Sequence, residues 1–234
     1  MKIYAIIPAR SGSKGLSNKN IRLILGKPLL SYSISFAKRL SSVDRIFCST
    51  DSDEYAEIAR NNGAEVPFLR SADAAVDAAM EEHILEDLRS KFAEFDIEEP
   101  DIIVWLRPTF VFRCVDDVEL CIEALKLNST ITAARTVVRA ENRLYKIENN
   151  ILLPEFHDSG KSMIRRQAMI DSYKVFSTDV FRFKGSKLGG DFLGRNIYPV
   201  VTNSICGIDI DDNFDFEMVK NLIEHAPGMI NGYL

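Results

Sequence analysis

The sequence is short of the residues that mark several common chemistries. Its four cysteines (Cys48, Cys114, Cys121, Cys206) are scattered, form no CxxC pair and have no histidine at zinc-ligand spacing, which speaks against zinc-finger and thioredoxin-type sites. Reduced, partly buried thiols in a cytoplasmic protein are the expectation instead. No apolar stretch approaches the ~20 residues needed to span a bilayer. The start, "MKIYAIIPAR", lacks the long apolar run and small-residue cleavage site of a secretory signal, so no membrane partner is expected. An excess of positive charge is missing too. With a net charge of -5, a general nucleic-acid binder is disfavoured, and any anion site must come from local placement of Arg and Lys.

Repeats, low-complexity tracts and dividing linkers are also absent, so the 234 residues, 46% of them hydrophobic, read as one domain with a sizeable core. Short β-branched runs alternate with helical patterns. "KIYAIIP" and "VDRIFCST" read as strands, and "LLSYSISFAKRL" as a helix between them. "DSDEYAEIARNNG" begins with capping residues and stops at Gly63. "AEVPFL" is a short extended piece, "AAMEEHILEDLRSKFAEF" a longer helix, and "PDIIVWLRPT" a near-continuous apolar run suited to a strand covered on both faces. "VDDVELCIEALKLN" is helical, with Asp116 and Asp117 near its positive end. This alternation predicts a doubly wound α/β fold around a mostly parallel sheet. From about Thr130 the rhythm changes to short strands and turns, among them a hairpin through "ENN". A β-rich arm projecting over roughly residues 135–185 is expected, after which "IYPVV" and "SICGIDI" return as strands and "DNFDFEMVKNLIEHA" as a final helix.

Ligands of such a sheet sit beyond the carboxyl ends of its strands. The loops there supply Arg10, Lys14 and Lys19, then Asp51, then Arg107 and Thr109, then Asp209 and Asp211. The first loop, "PARSGSKGLSNKN", is neither a GxGxxG turn nor a Walker P-loop. Its Gly and Ser residues allow backbone N–H groups to turn toward an anion, Arg10 suits bidentate phosphate contacts, and Lys14 and Lys19 add point charge. A phosphate cradle and a solvated basic loop both fit these residues. In "GIDIDD", two residues apart on a strand, Asp209 and Asp211 would face the same way, a pairing suited to Mg²⁺ with substrate phosphates. The competing reading is a helix cap, a task open to Asp212 or Asn213 as well. His83 and His225 fall in predicted helices and read as structural; His157 lies in the arm and has no assigned role.

At this point the residues carry a resemblance. "IIPARSGSKGLSNKNI…GKPLL", "STDSDEYAEIARNNGAEVPFLR", "RPT", "RRQ" and "IDID" occur in an order that spans nearly the whole chain and resembles the acylneuraminate cytidylyltransferases, makers of CMP-sialic acid and related CMP-nonulosonates. The opening differs from the "RYGSTRLPGK" type of the Kdo cytidylyltransferases. The resemblance implies transfer of CMP from CTP to the anomeric hydroxyl of a nonulosonic acid, with pyrophosphate leaving. It implies that Arg10, Ser11, Gly12, Ser13, Lys14, Gly15, Lys19 and Asn20 hold the triphosphate, with Arg70 near base and ribose. It assigns Mg²⁺ to Asp209 and Asp211, and it makes Arg10, Lys19, Asp209 and Asp211 the catalytic set. Arg107 and Thr109 fall on the sugar side. The arm implies a homodimer, in which Arg165, Arg166 and Gln167 reach the partner's site. Where relatives read "LQPTSPLR" this chain has "WLRPTFVFR", placing Arg107 at a glutamine position and Phe110-Val111 at a Ser-Pro pair, a change that points to altered substrate choice. A nucleotide-binding homologue with weak turnover and a nucleotidyltransferase for another sugar such as Kdo are the alternative functions.

Overall fold

The computed structural model describes residues 1–12, 15–76, 79–141, 143–155 and 170–234. Strands β1 (Ile3–Pro8), β2 (Leu23–Ile24), β3 (Lys27–Pro28), β4 (Arg45–Ser49), β5 (Ile102–Leu106) and β6 (Ala133–Arg139) are followed by β7 (Tyr145–Glu148), β8 (Ile151–Pro154), β9 (Tyr173–Lys174), β10 (Thr178–Arg182) and β11 (Ile197–Val201). The helices are α1 (Leu29–Ala37), α2 (Asp53–Asn61), α3 (Ala72–Ala75), α4 (Glu81–Glu94), α5 (Val115–Leu127), α6 (Asn213–His225) and α7 (Pro227–Ile230).

The main sheet has the order β11-β6-β10-β5-β1-β4, with β9 paired to β6. β1 pairs in parallel with both β4 and β5, and β11 in parallel with β6. β10 is antiparallel to both its neighbours. The fold is thus the expected α/β arrangement with a mostly parallel sheet. Alternation along β1 shows why it has two cores. Ile3, Ala5 and Ile7 pack with residues of α1, α2 and α5 on one face, whereas Tyr4 and Ile6 meet Phe47, Trp105, Phe181 and the α4 residues Leu85, Leu88 and Phe92 on the other. Each fully buried Ile, Leu or Phe among them contributes about 1.5–3 kcal/mol. Tyr4, Phe47 and Phe92 add an aromatic triangle, with ring centroids 5.3–6.1 Å apart.

Local signals behave as their chemistry predicts. The Ser52 hydroxyl accepts from Tyr55 N at the start of α2, and Gly63 closes that turn at φ +90°. The "ENN" hairpin forms between β7 and β8, with Asn149 and Asn150 at φ +50° and +63°, the left-handed pair that a type I′ turn requires. Asp212 caps α6, its carboxylate accepting from Asp215 N at 3.0 Å. The capping role therefore belongs to Asp212 and not to Asp209 or Asp211.

One expectation needs correction. "SICGIDI" is no strand: Ser204–Gly207 is a 3-10 turn, started by the Asn203 side chain accepting from Ile205 N. Asp209 and Asp211 therefore lie on an irregular connection and not side by side on a ladder. Of the stretch expected to project, residues 156–169 lie outside the described residues. β6 and β10 both belong to the main sheet, while the exposed β7–β8 hairpin pairs only with itself.

Candidate active site

Over the carboxyl ends of β5, β1 and β4 lies a cleft of about 540 Å³, lined by residues that include Arg10, Gly15, Lys19, Asn20, Arg70, Glu81, Arg107, Thr109 and Asp211. Adjacent parallel strands deliver these side chains to one place, as the topology requires.

The opening loop is held from two sides. The Asp51 carboxylate accepts from Ser11 N at 2.7 Å and Ser11 Oγ at 2.8 Å, so Asp51 organises the loop. The Asn20 amide donates to Arg10 O at 3.0 Å. Gly12 adopts φ +71° and Asn18 φ +53°, conformations that suit these residue types. Leu16 is buried in a third apolar cluster that also contains Phe112, Ile210 and Phe216 of α6. That packing carries the loop onto the 208–211 connection. Lys19 Nζ donates to Ile210 O at 2.7 Å and lies 3.7 Å from the Asp211 carboxylate. Gly15 runs so close that an added Cβ would sit 2.6 Å from Asp211 O.

The two aspartates differ in environment. Asp211 is exposed at the cleft, with its side chain 79% accessible. Asp209 is half-buried: burial raises its carboxyl pKa, opposed by a hydrogen bond from the Thr109 side chain and reinforced by the Asp211 charge. Its Oδ1 is buried with no hydrogen-bond partner among the described residues. An unsatisfied buried carboxylate oxygen beside a second carboxylate offers hard oxygen donors with coordinating capacity left, which fits Mg²⁺ completed by substrate phosphates. Among the described residues no group of three or more His, Cys, Asp or Glu could hold a metal alone. A metal held by these two aspartates would need further ligands from a bound substrate or water.

The sugar-side candidates also converge. Thr109 O accepts from Ile210 N at 3.1 Å, tying the "RPT" turn to the aspartate segment. Buried Arg113 fixes that turn by donating to Arg107 O, Thr178 Oγ1 and Ser33 Oγ. Arg70 is buried at the end of β4, donating to Ser49 O at 2.7 Å and Ser49 Oγ at 3.1 Å. Burial lowers its pKa, against the opposing charge of Asp51. Arg107 is the surprise: it is already paired, with Glu81 and with Asp179. Burial works against its charge, but Asp179 and Glu81 outweigh that and raise its pKa. Glu81, Asp179 and Arg135 were not singled out by sequence, and no spacing rule links positions so far apart. Ser13, Lys14, Arg165, Arg166 and Gln167 lie outside the described residues. Thiol chemistry is disfavoured, because burial pushes Cys48 up to about 12 and Cys206 up to about 11.

Comparison with known proteins identifies the family. Residues 4–171 match the family model described as Cytidylyltransferase. A CMP-N,N'-diacetyllegionaminic acid synthase of Legionella pneumophila is 32% identical over 229 residues, covering 96% of this chain and 97% of that protein. An N-acylneuraminate cytidylyltransferase of Escherichia coli is 30% identical across 93% of this chain, which spans 51% of that longer protein. A pseudaminic acid cytidylyltransferase of Campylobacter jejuni is 29% identical, with 96% and 98% of the two chains covered. Among solved structures, a CMP:2-keto-3-deoxy-manno-octonic acid synthetase complexed with CTP superposes with a TM-score of 0.68 at 15% identity, covering 95% of this chain and 98% of that one. With a family model spanning most of its length and a full-length relative at 32% identity, the chain belongs to the cytidylyltransferase family.

Proposed function

We propose that the protein transfers the cytidylyl group of CTP to the anomeric hydroxyl of a nonulosonic acid, releasing pyrophosphate. The observation that carries this reading is one cleft joining the basic loop of Arg10 and Lys19 to Asp211 and to the Arg107–Thr109 turn. Relatives named as synthases of CMP-legionaminate and transferases for neuraminate and pseudaminate support the choice of acceptor.

In this reading Arg10, Ser11, Gly12, Ser13, Lys14, Gly15, Lys19 and Asn20 cradle the triphosphate, with Arg70 toward the nucleoside. The acceptor hydroxyl attacks the α-phosphorus and the β,γ-pyrophosphate departs, with no covalent enzyme intermediate. The chain's contribution is alignment of the two reactants and neutralisation of charge on the phosphates. Arg10 and Lys19 stabilise the leaving pyrophosphate. Asp209 and Asp211 would hold Mg²⁺, which when bound supplies phosphate polarisation and a lowered hydroxyl pKa. Thr109 orients Asp209 through their hydrogen bond.

A homodimer belongs to the same proposal. It is supported by the exposed apolar side chains of the β7–β8 hairpin, Ile147, Ile151 and Leu152, at 74%, 60% and 61% exposure, which a protein-protein contact would cover. Arg165, Arg166 and Gln167 would reach the partner's cleft. A cytoplasmic location is supported by the free cysteines; among the described residues, no helix is long and apolar enough to cross a membrane.

Pyrophosphate release measured with CTP, UTP, ATP and GTP against a panel of neuraminate, legionaminate, pseudaminate, Kdn and Kdo tests the reading. The expected result is release with CTP and at least one nonulosonic acid. Release with none of the twenty combinations would overturn it, and release with Kdo alone would transfer the assignment to another sugar class.

A further inference from the structure

A chain of four alternating charges runs from the cleft into the sheet. Arg107 Nε and Nη2 donate to the two oxygens of Glu81, each at 2.7 Å. Its Nη1 donates to Asp179 Oδ2 at 2.8 Å and to Phe176 O at 2.7 Å. Arg135 completes the chain by donating to both oxygens of Asp179. The ring of Phe176 lies 5.0 Å from the Arg107 guanidinium carbon and 5.2 Å from that of Arg135. Phe176 holds φ +88°, an unusual conformation for a bulky residue that persists only where its surroundings fix it.

The two carboxylates on Arg107 are not equivalent. Asp179 has a side chain 2% exposed and is shared with Arg135; removing it would strip Arg135 of this carboxylate and leave the Nη1 edge of Arg107 without its acid partner. Glu81 is 31% exposed, lines the cleft and sits at the first turn of α4. It occupies the whole outer fork of the guanidinium and also accepts from Trp105 Nε1 at 2.9 Å. The arrangement is a fork already shaped for a planar carboxylate, set rigidly by its far side and filled on its open side by a carboxylate that can leave.

Resting on the proposed reaction, the geometry points to Glu81 as an internal stand-in for the carboxylate of the acceptor sugar. On binding, that carboxylate takes the Nε/Nη2 face of Arg107 and the Trp105 N–H, while Glu81 swings to solvent at the positive N-terminal end of α4. Asp179, Arg135 and Phe176 keep Arg107 in place throughout. Glu81 is thus a specificity-determining residue: it sets the threshold that an acceptor must exceed, and only another carboxylate replaces it without leaving the guanidinium unpaired.

The test uses the full-length protein, CTP, the accepted sugar acid and its methyl ester, with acceptor KM and CTP KM measured separately. Glu81→Gln, which cannot form the charged pair, is expected to lower acceptor KM several-fold, to widen the preference for acid over ester and to leave CTP KM within twofold. Arg107→Gln is expected to raise acceptor KM by about tenfold or more and to erase the acid-over-ester preference. An unchanged preference in both variants, with CTP-dependent release intact, overturns the exchange while leaving the proposed reaction standing. A higher acceptor KM in Glu81→Gln, with the same melting temperature as the parent, overturns it as well. Absence of release with any acid in the parent protein would instead be a failure of the proposed reaction.

Discussion

Asp211→Asn lowers pyrophosphate release about 10²–10³-fold while the protein stays folded, the scale seen when a fixed electrostatic stabiliser is removed from a transition state. The reasons lie in the placement of the side chain. Asp211 is exposed, and among the described residues the ion pair of its carboxylate is with Lys19, 3.7 Å away. The backbone contact that anchors this segment, Asp211 N donating to an Asp215 oxygen at 3.0 Å, survives the substitution. An exposed pair of that kind contributes at most ~1 kcal/mol to stability. The amide keeps the shape but surrenders the anionic oxygen that would face Mg²⁺ and the triphosphate. Asp209→Asn should show the same loss, since its Oδ1 is buried with no hydrogen-bond partner among the described residues. Steady-state rates over a Mg²⁺ titration, with thermal melting as the control for folding, check both. Near-normal rates in either variant at ordinary Mg²⁺ remove that aspartate from the catalytic set.

Gly15→Ala produces the second large effect. The new Cβ would lie 2.6 Å from the carbonyl oxygen of Asp211, a distance at which one backbone must give way. Two segments almost two hundred residues apart in sequence are locked there, through Lys19 Nζ on Ile210 O and the apolar cluster that holds both Leu16 and Ile210. Separating them moves the basic loop, which is proposed to hold the triphosphate, relative to the aspartates, and a displacement near 1 Å costs about 10²-fold in rate. Gly26→Ala provides the contrast. Gly26 has φ +70° and open space around the missing Cβ, so Ala there is strained by about 1–2 kcal/mol but leaves the cleft alone. The expected pattern is a severe kinetic defect in Gly15→Ala and a lower melting temperature with ordinary kinetics in Gly26→Ala. Parent-like rates in Gly15→Ala would show that the contact between the two segments does not position the reactants.

These cases show which parts of the molecule could be read from sequence. β1, β4 and β5 are legible because strands buried on both faces leave almost no polar alternation, and "IIVWL" is wholly buried as its composition implies. Helix limits at Ser52 and Gly63 and the Asn149-Asn150 turn are local chemistry, decided within a few residues. What escaped was decided at a distance. "TDVFR" becomes an antiparallel strand because β5 and β6 leave a slot between them, and nothing within those five residues announces it. "SICGIDI" has the apolar content of a strand, but the Asn203 side chain captures Ile205 N and diverts the chain into a tight turn. The basic loop and the aspartates stand out in the sequence as site candidates. Asp51 is reached by the strand-end rule as well, but Glu81, Asp179 and Arg135 are not, because ion pairs spanning tens of residues follow no spacing.

The most direct measurement follows the phosphorus atoms themselves. Phosphorus-31 NMR of CTP, Mg²⁺ and the accepted sugar acid with the protein should show the three CTP resonances decline together. One phosphodiester signal for the CMP–sugar and one pyrophosphate signal should replace them in a one-to-one ratio, and only when the acceptor is present. Inorganic phosphate with CDP, or loss of CTP that does not depend on the acceptor, would contradict attack at the α-phosphorus and with it the account of this cleft as a site of cytidylyl transfer.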